Sequence, residues 1–147
     1  MTRHRIAIVA VVLGLLGLGV ATSSSAPRSG YKVIVHPKNP ISWIDQGFLR
    51  NAYLKKEIEW TDGRTILPVD LTMKSTVRDE FTREVIKKTS AQLRNYWNQR
   101  IFSGQGAPPL EAEVGTSVIA YVLANPGAVG YLPVDLDPGG AKIVEVR

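Results

Sequence analysis

The chain has 147 residues, of which 44% are hydrophobic and 21% charged, and its formal net charge is +5. It contains no cysteine, which excludes disulfide bonds and excludes membrane anchoring through an acylated cysteine. The mild positive excess favours anionic ligands or an anionic envelope surface. No nucleic acid is expected as a partner, because the sequence lacks a basic stripe rich in aromatic residues.

The N-terminal residues have the pattern of an export signal. Residues 3–5 form a basic head, residues 6–20 are uncharged and apolar, and residues 21–26 are small and suit signal peptidase. The apolar run is shorter than the ~18–20 residues that a membrane-spanning helix needs, although an uncleaved anchor is the alternative. We expect residues 1–26 to be a signal peptide and residues 27–147 to be one domain, periplasmic or secreted, without stable membrane insertion.

The first half of the remaining chain predicts two strands separated by a helix. β-branched residues predict a strand over residues 31–36. An apolar face predicts a helix over residues 45–56, with Asp45 as its N-terminal cap. A short strand follows over residues 65–69, and Pro68 indicates a position near a sheet edge or a bulge, because proline cannot donate to the ladder.

A second predicted helix begins at Ser75. Val77, Phe81 and Val85 follow at spacings of four and predict one buried stripe, whereas Arg78 is predicted to face water.

Thr89 and Gln92 have the spacing of a capping box at the start of a third helix. Leu93, Trp97 and Ile101 predict the buried stripe of this helix.

The last third of the chain predicts one helix and two strands. Thr116 or Ser117 is the expected cap of the helix, a buried strand covers residues 128–132, and an alternating strand covers residues 142–146. Strands that alternate with helices favour an α/β unit with a mostly parallel sheet flanked by helices.

Several short motifs occur in a fixed order along the chain. They are Trp60-Thr61-Asp62-Gly63, Ile66-Leu67-Pro68-Val69-Asp70, Arg78-Asp79-Glu80-Phe81, Tyr96-Trp97, Phe102-Ser103-Gly104-Gln105-Gly106, Pro108-Pro109 and Pro126-Gly127-Ala128-Val129-Gly130-Tyr131. This order resembles the second lobe of the phosphate-type periplasmic substrate-binding proteins, in particular their short single-lobe relatives. The resemblance implies one three-layer lobe of a type II periplasmic-binding fold. It also implies a solute-binding module of a phosphate ABC transporter, and not an enzyme.

Two residues of this chain can be compared with the family at the matching positions. Lys55 stands where the relatives usually have glycine, and Trp60 is expected to be partly exposed, as it is in the family.

The best candidate site lies around the start of the second helix. Free backbone N–H groups, two hydroxyls and two cations in residues 74–78 suit an oxyanion, although a plain cap by Ser75 with a solvated Arg78 is the alternative. In full-length phosphate binders, the matching stretch resembles an arginine, a spacer and Ser-Gly-Thr. Here Asp70 stands at the arginine position, the glycine is missing, and an aspartate repels an anion. The candidate ligand residues are Thr72, Ser75, Thr76 and Arg78.

The segment from Phe102 to Gly106 resembles the Phe-Thr-Gly-x-Gly loop of the same family. Gly104 and Gly106 are therefore added to the candidate ligand residues, because glycines let the backbone approach a ligand. The alternative is that Gly104 only ends the preceding helix.

Residues for catalysis or metal binding are missing. His36 is the only histidine after the predicted signal, and neither a nucleophile elbow nor a thiol is present. Glu111 and Glu113 are interpreted as a solvated acidic patch. Residues 135–146 lack the ligand pattern of a calcium loop. We expect no enzyme activity, no cofactor and no metal.

A single lobe offers half of a binding site, open to bulk water. Strong oxyanion binding then requires a second lobe, supplied by a second copy of the chain or by another envelope protein. The sequence therefore favours an exported solute-binding module with weak oxyanion binding, and its alternative is a non-enzymatic accessory protein of the envelope that keeps the lobe as a scaffold.

Overall fold

The computed structural model describes residues 30–147, which form a six-stranded sheet with helices on both faces. The predicted signal peptide therefore lies outside the described residues. The elements are β1 (Tyr31–Val35), β2 (Trp43–Ile44), α1 (Gln46–Tyr53), β3 (Leu67–Leu71), α2 (Thr76–Phe81), a π-helical turn (Thr82–Ile86), α3 (Ser90–Phe102), β4 (Leu110–Ala112), α4 (Gly115–Ala124), β5 (Ala128–Pro133) and β6 (Lys142–Val146). The predicted α/β lobe is confirmed.

The strand order is β2-β6-β1-β5-β3-β4, and the sheet is mixed. The β2–β6, β3–β5 and β3–β4 pairings are parallel, whereas β1 runs antiparallel to β5 and β6. The C-terminal strand β6 thus lies inside the sheet, between β1 and β2. β3 is second from the edge, and β4 joins it only from Val69 onward, one residue after Pro68.

The two faces of the sheet carry different layers. On one face α4 lies close to β5, where a Cβ atom at Gly130 would come within 2.5 Å of Val118 Cγ1. Only glycine permits this approach. On the other face Tyr131 stacks on Phe81 with ring centroids 3.9 Å apart, and the Tyr53 ring lies 4.8 Å from that of Phe81. This aromatic cluster joins α1 and α2 to the sheet and forms the floor of the candidate site.

Helix starts follow the predicted caps in three of the four α-helices. Asp45 accepts a hydrogen bond from Phe48 N at 2.9 Å, and Ser75 caps α2. Thr89 and Gln92 form both bonds of the predicted capping box. In contrast, the cap predicted for α4 was wrong, because that helix begins at Gly115, before Thr116 and Ser117, and has no side-chain cap.

Burial departs from the sequence pattern at several positions. Ile101 is 52% exposed, because α3 ends one residue later and its last turn projects from the lobe. Trp60 is buried instead of partly exposed, since its indole N–H donates to Gly127 O at 2.9 Å. Val77 is half-buried.

Lys55 has a positive φ of 52° just after α1. This backbone region favours glycine, which agrees with the glycine that the resemblance places there. Within residues 30–147, no helix has both the length and the apolar character required to cross a bilayer.

Candidate functional site

The candidate site lies where β3 and β4 end and α2 begins. β3 and β4 are parallel, and their register places Asp70 opposite Glu111. Paired residues of neighbouring strands point to the same face of the sheet, so both carboxylates reach the same side. The carboxyl ends of parallel strands are also the usual ligand-binding edge of α/β sheets. The register therefore brings two acids to the edge that the sequence indicated for an anion.

Arg78 lies between these two acids. Its Nη2 is 3.0 Å from Asp70 Oδ2, its Nη1 is 2.6 Å from Glu111 Oε1, and Nη1 also donates to Leu71 O at 2.7 Å. The side chain is only 8% exposed. Burial alone would lower the pKa of Arg78, but attraction to Asp70 and Glu111 outweighs burial and raises it. The guanidinium is therefore held in its charged form.

The prediction that Arg78 faces water was wrong. The buried positions of this segment are Arg78, Phe81, Thr82, Val85 and Ile86, which follow the i, i+3, i+4, i+7, i+8 pattern of one helix face. Glu111 and Glu113 are both exposed, as a solvated patch requires, but Glu111 lies on β4 and pairs with Arg78. Its side chain remains 43% exposed, however, so one side of the ion pair is open to solvent.

Asp70 is held from three sides. Tyr131 donates its hydroxyl hydrogen to Asp70 Oδ1, and the backbone N–H of Leu71 donates to the same oxygen at 2.9 Å. Burial raises the pKa of Asp70, although Arg78 and these hydrogen bonds act in the opposite direction. Burial and the nearby Asp70 also raise the pKa of Tyr131, so that hydroxyl remains a donor.

Four of the predicted ligand residues lie in one short segment at this edge. Thr72 is half-buried and its N–H donates to Ala112 O at 3.1 Å, while Thr76 is exposed. Ser75 Oγ accepts from Arg78 N at 3.3 Å. Their role in ligand binding stays a prediction.

The two predicted glycines lie in a different segment, the exposed loop after α3. Gly104 has a φ of 69° and donates its N–H to Ile101 O, as expected of a residue that ends a helix. Gly106 has a φ of 133°, with no atom within 4 Å of the position of a Cβ. The loop is followed by β4, which contains Glu111, so the two glycines are connected to the site only along the chain.

Sequence reasoning missed three members of the site: Asp70 and Glu111, which pair with Arg78, and Tyr131, which donates to Asp70. They come from three strands that are distant in sequence, and only the strand register shows that they meet. A local pattern carries no signal for such a cluster. Within residues 30–147, no group of three or more acidic or histidine side chains is arranged to hold a metal ion.

Solved structures extend these observations, whereas no protein-family model and no curated protein sequence matches the chain. It matches a protein from Clostridium perfringens described as a phosphate ABC transporter substrate-binding protein, with bound phosphate (TM-score 0.62, 20% identity, 80% of this chain and 44% of that one). It also matches an ABC-type phosphate transport receptor from Vibrio cholerae (TM-score 0.61, 16% identity, 80% of this chain and 46% of that one). A third match is PstS from Borrelia burgdorferi (TM-score 0.61, 14% identity, 80% of this chain and 47% of that one).

The chain has the fold of one lobe of these substrate-binding proteins. It spans less than half of their length. The single-lobe resemblance seen in the sequence is confirmed at the level of the fold.

Proposed function

We propose that this protein is an exported, non-enzymatic solute-binding module that binds an oxyanion such as phosphate weakly. The observation that carries the proposal is a buried arginine, Arg78, at the ends of β3 and β4 beside the start of α2. Its fold is that of proteins described as phosphate receptors, which supports the same assignment. Thr72, Ser75 and Thr76 would supply hydroxyl and backbone donors beside the guanidinium.

Weak binding follows from the partners that Arg78 already has. Asp70 is 7% exposed and fixed by Tyr131 and Leu71, so it stays in place. Glu111 is 43% exposed and can turn toward solvent. An incoming oxyanion would therefore displace the Glu111 carboxylate from Arg78. The binding free energy would be only the difference between the Arg78–oxyanion and the Arg78–Glu111 interactions. In a single lobe the site also stays open to water, which weakens charge-assisted hydrogen bonds.

Export and the absence of a catalytic role belong to the same proposal. Residues 1–26 would direct the chain to the periplasm or to secretion, leaving residues 27–147 as one domain. A second copy or another envelope protein would supply the opposing lobe. Gly104 and Gly106 would then let the loop after α3 approach the ligand or that partner.

Calorimetric titration with phosphate tests the proposal. Wild-type protein should give saturable heat with a dissociation constant on the order of 1 mM, and Ser75→Ala with Arg78→Ala should abolish it. Glu111→Gln should tighten binding on the order of tenfold, because an anion no longer meets a like charge. Glu113→Gln, an equal change of charge two residues away, is the matched control and should bind as wild type does. Phosphate binding that is unchanged by both Glu111→Gln and the double substitution would refute this site.

An accessory protein of the envelope is the second candidate, and one observation favours it. Both terminal nitrogens of Arg78 already have carboxylate partners, so the positive charge of Arg78 is compensated without any ligand. In that case wild type and Glu111→Gln would both give no heat with phosphate while keeping their circular dichroism spectrum. Co-purification of an envelope protein would then support the role of scaffold.

A further inference from the structure

The segment from residue 85 to residue 110 differs in charge from the rest of the chain. It contains no acidic residue, although the chain has 13, and it contains Lys87, Lys88, Arg94 and Arg100. The other described residues comprise 11 basic and 13 acidic side chains, so they are slightly acidic. Positive charge is therefore concentrated on and around α3.

The cations of this segment lack acidic partners. The ion pairs among residues 30–147 involve Arg64, Arg78, Arg83 and Arg147, and none of the four cations near α3. Lys88 Nζ lies 5.9 Å and Arg100 Cζ 5.5 Å from the centroid of one ring, that of Tyr96. A contact with an aromatic ring attracts each cation without neutralising its charge.

Two large apolar side chains project from the end of the same helix. Phe102 is 92% exposed and Ile101 is 52% exposed. Phe102 follows the buried Leu93 by nine residues, which is half a turn from the core-facing side at 100° per residue. All residues from 101 to 108 are exposed, so this end of the lobe forms a protruding tip.

The surface beside Phe102 is polar but carries no acid. A groove of about 550 Å³ runs along the outer side of α3, and its lining consists of amides, one hydroxyl and the phenyl ring: Asn95, Asn98, Gln99, Ser103 and Phe102. These groups can donate and accept hydrogen bonds without repelling an anion. We call Lys88, Arg94, Arg100, Ile101 and Phe102 the basic tip. Lys88 precedes α3 in the chain, and its ammonium belongs to this group through the Tyr96 ring that it shares with Arg100.

We propose that the basic tip docks on an anionic lipid surface. Phe102 and Ile101 would enter the boundary between headgroups and acyl chains, while Lys88, Arg94 and Arg100 would contact lipid phosphates, the division of roles typical of interfacial helices. Because the tip carries cations without acidic partners, charge complementarity favours an anionic binding partner. A convex, protruding Phe102 favours a lipid bilayer over a protein pocket, since it inserts without requiring a matching cavity. Docking of this kind leaves the lobe on the membrane surface.

Vesicle sedimentation tests this proposal with protein purified from cells that express the full chain. Binding should be stronger to vesicles that contain phosphatidylglycerol than to vesicles of phosphatidylcholine alone, and should weaken as salt is added. Lys88→Gln with Arg100→Gln should weaken binding tenfold or more, given ~1 kcal/mol per cation. Phe102→Ser should weaken it about tenfold. Comparison among variants of one chain cancels any contribution of the N-terminal apolar run.

Matched controls come from elsewhere on the surface. Ile58, which is 58% exposed, and Arg83, which is paired with Asp79, lie outside the basic tip. Ile58→Ser and Arg83→Gln should therefore bind the anionic vesicles as wild type does. Equal loss in controls and tip variants would overturn the proposal.

The absence of cysteine gives a second readout. An environment-sensitive fluorophore attached at Phe102→Cys should shift to shorter wavelength when phosphatidylglycerol vesicles are added, whereas the same label at Ile58→Cys should not shift. Two results would overturn the proposal. One is equal binding to both kinds of vesicle. The other is binding to polyglutamate, unaffected by Phe102→Ser, without binding to vesicles, which would indicate an acidic protein partner instead.

Discussion

The edge that contains Arg78 and the basic tip both carry cations of one lobe, but only the cation at the edge is paired with acids. Arg78 is 8% exposed and has two carboxylate partners. Lys88 and Arg100 lie over the ring of Tyr96, Arg100 also donates to Gln105 O at 2.9 Å, and neither has an acidic partner among residues 30–147. A buried cation must be accompanied by anions, because removing an unpaired charge from water costs several kcal/mol. A cation at the surface keeps its water and needs no partner. The charge of Arg78 therefore supports the fold as well as the proposed site, whereas the charges of the basic tip are not needed for the fold.

Removal of the buried guanidinium should have the largest effect. We expect Arg78→Met to lower the free energy of unfolding by about 3–5 kcal/mol, because Asp70 would remain buried without its counter-ion. The double variant Asp70→Asn with Arg78→Met should recover part of this loss. Urea denaturation of wild type, Asp70→Asn, Arg78→Met and the double variant measures the coupling free energy between Asp70 and Arg78. Arg83→Met removes an exposed ion pair and should cost only about 0.5 kcal/mol. A loss for Arg78→Met no greater than that of the control would contradict the account.

The pH dependence of stability should distinguish the buried acid from surface acids. Burial raises the pKa of Asp70 above its ordinary 3.8, so the folded state binds the proton more tightly than the unfolded state. Protonation of Asp70 therefore stabilises the folded state. This stabilisation is complete below pH 3.8, the pKa of the unfolded state, and is lost as the pH rises through the folded-state pKa.

Wild type should therefore lose stability relative to Asp70→Asn as the pH rises through this window, by about 1.4 kcal/mol for each unit by which the pKa is raised. Urea denaturation at a series of pH values gives the difference, and Asp135→Asn at an exposed position is the control. A difference that stays constant, or that grows in the opposite direction, would show that burial does not dominate at Asp70.

Neutralising the basic tip should have the smallest effect on stability. Lys88→Gln with Arg100→Gln should change the free energy of unfolding by no more than about 0.5 kcal/mol, since neither cation has an acidic partner among the described residues. Thermal and urea denaturation should agree on this value. A cost near that of Arg78→Met would mean that the tip supports the fold, and the contrast between the two regions would disappear.

Sequence reasoning succeeded where structure is determined by neighbours along the chain. Asp45, Ser75 and Thr89 cap their helices as predicted, because a cap depends on the next three residues. The strand over residues 142–146 was likewise recognised from its alternation, and it is β6. The place of β6 between β1 and β2 could not be predicted, since pairing across the sheet is not local.

The same limit explains the error at Arg78. Two stripes run through its helix and share Phe81 and Val85. One also contains Val77 and the other also contains Arg78, and hydrophobicity alone favours the stripe with Val77. The second is the buried one, because Asp70 and Glu111 meet at the adjacent strand ends and satisfy the guanidinium. Only the register of β3 with β4 contains that information.

The most direct measurement follows the Arg78 side chain itself by nuclear magnetic resonance. The Nε–Hε signal of Arg78, assigned by its loss in Arg78→Lys, would be recorded in wild type and in Glu111→Gln while phosphate is added. We expect a saturable shift of this signal in both proteins, at lower phosphate concentration in Glu111→Gln. An Arg78 signal that does not move in either protein, while the fold is intact, would contradict oxyanion binding at this edge.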